Sequence, residues 1–200
     1  MSNPLPNVSR ETSDQLHAYA DLVRKWNPKI NLVSKTSVNE FWERHILDSV
    51  QVYNIADSSG HWVDLGSGGG LPGIVVAILN DTEQKYTVSL VESDQRKCAF
   101  LRTAVREMGL NATIYTDRIE LLPPQDADVL SARALSDLPK LLEFAERHLR
   151  PEGIAVFPKG ETWKNEIARA ESEWSFTYEA VPSTTNYDSA VLKIKDIIRV

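Results

Sequence analysis

Apolar positions recur along the chain with two periods, helical and strand-like, and the change between them falls near residue 60. From Thr12, the spacing Leu16, Tyr19, Ala20, Leu22, Val23 and Trp26 follows one helical face. Ser9 is placed to cap this helix, and Asn27-Pro28 to end it. Residues 31–37 read as a loop and 38–55 as a second helix, with Phe41, Ile46, Leu47 and Val50 facing inward. Beyond residue 60, strands and helices alternate. Trp62, Val63 and Leu65 make a short apolar strand, and IVVAIL after Pro72 makes a helix. YTVSLV (86–91) is a strand of the kind buried in parallel sheets. QRKCAFLRTAVREMG follows as a helix, with Asp94 as N-cap or first-turn acid and Gly109 as its C′ residue. Residues 111–116 and 128–132 give two more strands. The helix DLPKLLEFAERHL is stopped by Arg150-Pro151 and Gly153, and GIAVFPKG (153–160) is the fifth strand. A charged helix (163–174) then leads to a terminal antiparallel hairpin, FTYEAVPS with AVLKIKDIIRV. The pattern predicts one compact α/β domain: a helical extension (1–60) on a core (61–200) with a seven-stranded, mostly parallel sheet and helices on both faces.

The richest candidate chemistry lies where the first strand meets its helix, in HWVDLGSGGGLPG (61–73). Four glycines within five positions let a backbone approach a ligand closely. A dinucleotide fingerprint can be laid on Gly68, Gly70 and Gly73, but its first glycine should follow the strand directly. The pattern in phase with the strand is D-x-G-x-G-x-G on Asp64, Gly66, Gly68 and Gly70. It resembles motif I of the class I S-adenosylmethionine-dependent methyltransferases, which have a Rossmann-like fold. That resemblance implies that Asp64, Gly66, Ser67, Gly68 and Leu71 hold the methionine end of S-adenosylmethionine. Glu92, 28 positions after Asp64 at the end of the second strand, is placed to accept the ribose hydroxyls. At the end of the third strand, Ile119 could flank the adenine, and Glu120 is either an acceptor for its amino group or a helix-favouring charge. Arg133 emerges from the fourth strand at the pocket mouth, with a surface ion pair as the plainer alternative.

Composition narrows the partners. A net charge of −6 and a pI near 5.3 argue against indiscriminate nucleic-acid binding, so an RNA substrate requires cations gathered locally. Arg24, Lys25, Lys29, Lys35 and Arg44 are the densest such group in the first third, interleaved with Trp26 and Trp42. Stacking rings beside cations suit single-stranded RNA, and a solvated helical face over core tryptophans is the commoner origin of the pattern. His45 and Asp48 share a helix face, as an acid/base pair or as a structural one. The four histidines lack metal-ligand spacing, so no metal is expected, and the lone Cys98 fits burial in its helix better than nucleophilic chemistry. No segment has the apolar length of a signal core or membrane span, and the chain reads as cytoplasmic.

Several separated motifs together resemble the bacterial small-subunit (16S) ribosomal RNA guanine-N7 methyltransferase family: NLVS (31–34), RHILDS (44–49), DLGSGGGLPG (64–73), SARA (131–134) and FPKG (157–160). The family usually has proline where this chain has Gly69, which should loosen the loop while keeping its backbone groups in place. The resemblance implies that 16S rRNA or the small subunit is the substrate; no stable protein partner is implied, and a monomer is expected. Guanine N7 presents an in-plane lone pair, so methylation needs neither a base nor a covalent intermediate and rests on alignment. The fourth strand accordingly lacks both an exocyclic-amine motif of the (D/N)-P-P-(Y/F) type and a nucleophilic cysteine. Arg133, Lys159 and His45 are the candidate catalytic residues. Lys159 or Arg44 would serve guanine O6 or a phosphate, and Arg133 the cofactor carboxylate or the RNA backbone. Arg24, Lys25, Lys35, Arg44 and Lys159 are the candidate RNA contacts. A methyltransferase acting on a small molecule or protein is the alternative that suits the acidic pI.

Overall fold

The computed structural model describes residues 8–34, 37, 38 and 40–200. Helix α1 (Arg10–Ile30) is capped by the Ser9 hydroxyl, which accepts from the Thr12 N–H at 3.1 Å. It runs through Asn27-Pro28 rather than stopping there. The buried Asn27 side chain accepts from the Val33 N–H at 2.9 Å, and Asn31 closes the last turn in the left-handed region, its N–H donating to Asn27 O. Pro28 costs one N–H in a turn that these bonds hold. A π-helical turn (Trp42–Ile46) then feeds α2 (Leu47–Ile55). Phe41 and Ile46 are enclosed as expected and Leu47 and Val50 pack half-buried against the same core, while the extra residue in that turn brings His45, Ser49, Val52 and Tyr53 onto the buried face as well.

The core follows the predicted alternation. Strands β1 (Gly60–Leu65), β2 (Tyr86–Val91), β3 (Ala112–Tyr115), β4 (Ala127–Ala132), β5 (Leu149–Lys159), β6 (Trp174–Pro182) and β7 (Ala190–Arg199) form one sheet in the order β3-β2-β1-β4-β5-β7-β6. β6 and β7 form the expected antiparallel hairpin, and β7 is inserted between β5 and β6, antiparallel to both. β5 starts four residues earlier than expected, directly after its helix. Pro151 and Gly153 fall within a register break, where Ala127 pairs with Leu149 but Val129 pairs with Ile154. Helices α3 (Gly73–Glu83), α4 (Gln95–Glu107), α5 (Leu138–His148) and α6 (Trp163–Ala170) cover the sheet. Asp94 and Asp137 cap α4 and α5, Gly109 follows α4 in the left-handed region, and Cys98 is buried.

Strand alternation divides the core into two layers. Trp62, Val88, Leu90, Val129 and Val156 face α1 to α4, while Val63, Leu65, Leu130, Ala155 and Phe157 face α5 and α6. Leu16, Tyr19, Val23, Phe41, Ile46 and Val52 from the first 60 residues belong to the same apolar cluster as α3 and the sheet. Leu16→Ala should therefore cost about 2 to 5 kcal/mol and lower the midpoint of a single unfolding transition of the whole chain. Calorimetry showing a separate early transition for residues 1–60, with the rest unmoved, would contradict this shared core.

Candidate active site

The glycine loop leaves the C-terminal edge of β1 and is held from below, behind and above. Below it, Asp64 is fully enclosed. Its Oδ1 accepts from the Ser131 hydroxyl at 2.7 Å, which in turn accepts from the Trp62 indole N–H at 2.9 Å, and its Oδ2 accepts from the Gly73 N–H at 3.2 Å. A side chain at Gly73 would put Cβ 2.7 Å from that Oδ2, so the first residue of α3 must be bare for the carboxylate to reach it. Behind the loop, Glu92 accepts from the Gly68 N–H at 2.9 Å and the Asp94 N–H at 2.8 Å. Above it, the buried Tyr19 hydroxyl donates to Gly69 O at 2.5 Å, tying α1 to the loop. Gly68 has a positive φ and a Cβ position with only Gly66 O within 4 Å, so the backbone there borders open space.

Facing the loop is a cavity of about 770 Å³ at the C-terminal edge of the sheet. Gly66, Ser67, Gly68 and Leu71 form one wall, and Arg44, His45 and Arg133 another. Arg133 Nη2 donates to Arg44 O at 3.0 Å and to His45 Nδ1 at 2.6 Å, and lies 3.7 Å from Asp48 Oδ2. Asp48 also accepts from the Thr185 hydroxyl in the β6–β7 loop. Because His45 Nδ1 accepts, the neutral ring carries its proton on Nε2. That atom and Arg133 Nη1 are enclosed donors with no partner among the described residues.

The remaining predicted residues have distinct places. Lys159 lines an adjoining cavity of about 270 Å³, but its ammonium is 2.6 Å from Glu166 Oε2 and donates to Ser136 O at 3.1 Å. It is therefore committed to an ion pair rather than free for a base. Ile119 is folded into the α5 side of the core, its carbonyl accepting from His148 Nε2, and the exposed Glu120 lies 3.8 Å from Arg118. Neither lines the cavity: the β3–β4 connection makes a turn there, with no helix. Arg24 pairs with Asp21 on the outside of α1, where Lys25 is also exposed, and Lys35 is outside the described residues. Both tryptophan rings have packing partners within the fold, Trp26 edge-on to Phe100 and Trp42 stacked on His17. Sequence reasoning missed Tyr19, whose hydroxyl was hidden in an apolar stripe, as well as Lys97 and the polar loop 183–189, which complete the lining.

Burial dominates the electrostatics. It lifts the Asp64 carboxyl to about 6 against the pull of Ser131, Ser67 and Gly73. It presses His45 down to about 4, helped by the Arg133 and Arg44 guanidiniums. Burial also lowers Arg133, with Asp48 opposing, and raises the Tyr19 phenol.

The Asp64 and His45 shifts oppose each other in their effect on stability. Between about pH 4 and 6 the folded chain keeps a proton on Asp64 that the unfolded chain has released, so this contribution is lost as pH rises through 6. Between about pH 4 and 6.5 the unfolded chain protonates a histidine that the fold keeps neutral, so that contribution is lost as pH falls toward 4. Asp64→Asn should therefore make stability climb more steeply with pH across this window than in the wild type, and His45→Gln should flatten the climb. Parallel denaturant-derived profiles for all three proteins would contradict both shifts. Lys159→Ala should lower stability by about 1 kcal/mol, since Glu166 loses its ion pair but still accepts from the Leu138 N–H and the Thr162 hydroxyl, with ligand affinity in the main cavity unchanged. Unchanged stability in a urea titration would show that the ion pair carries no such weight.

A family model described as rRNA small subunit methyltransferase G (GidB) matches residues 12–193. A curated relative from Ruegeria pomeroyi, named ribosomal RNA small subunit methyltransferase G, is 55% identical over 195 residues, covering 97% of this chain and 96% of its own. The protein of the same name from Paracoccus denitrificans is 50% identical, covering 94% and 96%. Among solved structures, a SAM-dependent methyltransferase from Aquifex aeolicus aligns with a TM-score of 0.62 at 14% identity, over 88% of this chain and 97% of its own. A mutant of MtNAS in complex with S-adenosylmethionine aligns at 0.59 and 14%, over 92% and 75%. These two similarities concern the fold, which is the Rossmann-like class I arrangement. With the model and the relatives spanning nearly its whole length, the chain belongs to the GidB family of small-subunit ribosomal RNA methyltransferases.

Proposed function

We propose that this protein transfers the methyl group of S-adenosylmethionine to N7 of a specific guanine in 16S ribosomal RNA. The observation that carries the reading is a bare-backed glycine loop, fixed by Asp64 and Glu92, facing a large polar cavity in a chain of this family. The residues fit the cofactor. Each Glu92 oxygen accepts one backbone N–H and keeps lone pairs for a ribose hydroxyl. Gly66, Ser67, Gly68 and Leu71 supply a close backbone wall, and Arg133 brings a guanidinium that suits a carboxylate. Asp64 acts through the loop it braces. When bound, S-adenosylmethionine supplies an electrophilic methyl on a sulfonium.

The chain's own work is alignment and electrostatic restraint. N7 attacks through a lone pair it already presents, so no side chain has to remove a proton before the methyl moves. The purine gains positive charge as the new bond forms. His45 is held neutral in the wall, so it adds no opposing charge. Helix α1, the π-helical turn and α2 act as a roof over the core, with Arg44, His45 and Asp48 in the lining. Among the described residues no helix is long and apolar enough to cross a membrane, and we place the enzyme in the cytoplasm, as a monomer acting on the small subunit or its RNA.

The test is transfer of labelled methyl to small subunits, and to their extracted RNA, from cells lacking this protein, with chemical cleavage at N7-methylguanine. Label at one guanine is the expected outcome. Label on another base or atom would overturn the N7 assignment. No label on either form, with S-adenosylhomocysteine still binding, would move the search to a small-molecule or protein acceptor.

A further inference from the structure

Long-range attraction to phosphate is hard to obtain from a chain of net charge −6 unless cations are collected on one surface. The structure collects them where α1 packs on α4. Gln15 Nε2 donates to Met108 O at 3.0 Å, and the Trp26 ring meets Phe100 at 5.7 Å, so the two helices run antiparallel. Helical spacing then places the charges at one end of this pair. Lys29 is one turn beyond Trp26, and Arg96 and Lys97 are one turn before Phe100, all beside the groove between the helices. Lys25 is exposed next to Trp26. Arg96 pairs with Asp94, whereas no acidic group lies within ion-pair distance of Lys25, Lys29 or Lys97 among the described residues.

That end of the helix pair opens on the active cavity. α1 runs straight into Leu32, Val33 and Ser34, which line the cavity, and Lys97 in the first turn of α4 lines it too. The cations therefore form a track from the protein surface to the rim of the cavity that the acceptor base must enter. Their compact, flexible ammonium groups suit a phosphate chain that carries no sequence information.

We infer that Lys25, Lys29 and Lys97, on the α1–α4 ridge, bind the RNA backbone leading to the target nucleotide. This rests on the RNA-methyltransferase reading and adds a docking path that includes α4. The RNA partner follows from the continuity of the ridge with the cavity and from its unpaired charge. On the opposite rim, the exposed Tyr187 sits with Trp163 and Lys164 but also beside Glu161 and Asp188, a weaker electrostatic match for phosphate.

The test measures equilibrium binding of a 16S rRNA fragment at several salt concentrations, alongside S-adenosylhomocysteine binding. In the triple variant Lys25→Ala, Lys29→Ala, Lys97→Ala, the slope of log K against log salt should fall by about 2, at roughly 0.7 for each single-strand phosphate that is no longer neutralised. The corresponding Lys→Arg variant should restore it, and Lys140→Ala on α5 should leave it unchanged. An unchanged slope in the triple variant, or binding that falls with Tyr187→Ala instead, would overturn the inference. So would weaker S-adenosylhomocysteine affinity with RNA binding intact, since Lys97 would then serve the cofactor. If the wild-type protein neither binds nor methylates the RNA, the proposed function fails, and this inference with it.

Discussion

The site depends on one enclosed carboxylate. Asp64 has no contact with solvent, and an isolated charge in that position would be prohibitive. It is tolerated because each oxygen meets a donor, and each donor belongs to a different part of the fold: Ser131 on β4 and the bare first residue of α3. A strand, its neighbour and the following helix are thereby locked at the point where the glycine loop begins. The backbone can then stay open over Gly68 without collapsing, since its shape is set from beneath and not by contacts on the ligand side.

The second restraint comes from the helices preceding the sheet. Tyr19 reaches from α1 to Gly69 O, and the π-helical turn carries His45 and Asp48 round to Arg133. Without the extra residue of that turn, one helical period would place different side chains against the cavity. The roof is therefore part of the loop's support and of its wall, sharing an apolar layer with α3 and α4.

Most of the fold was legible because a parallel sheet buried on both faces leaves a strong pattern. Apolar runs such as YTVSLV, punctuated by Asp94, Gly109 and Asp137, mark where each element begins and ends. The two misjudged boundaries have different causes: α1 runs through Asn27-Pro28 because Asn27 accepts from the Val33 and Asn31 N–H groups, and β5 starts ahead of Pro151 and Gly153 because β4 pairs with it across a register break. The glycine loop and Glu92 could be placed because their spacing is tied to the strand ends. The partners of Arg133 could not, since Arg44, His45, Asp48 and Thr185 come together only through topology, and neither could Lys159's commitment to Glu166. The basic ridge was half visible: α1 showed its cations, but nothing local revealed that α4 would lie beside it.

The Arg133 cluster also bears on when the enzyme becomes competent. Its guanidinium joins β4 to the segment before α2, and Asp48 passes the link to Thr185, between the two final strands of the sheet. Gln51 repeats that link by donating to Pro182 O at 2.7 Å and accepting from the Thr184 N–H at 3.1 Å. The groups that brace the glycine loop lie on α1, β1, α3, β4 and just after β2, yet one wall of the cavity is closed by the β6–β7 hairpin, which begins at Trp174. During synthesis, every group that braces the cofactor loop therefore leaves the ribosome before the hairpin that closes the acceptor side.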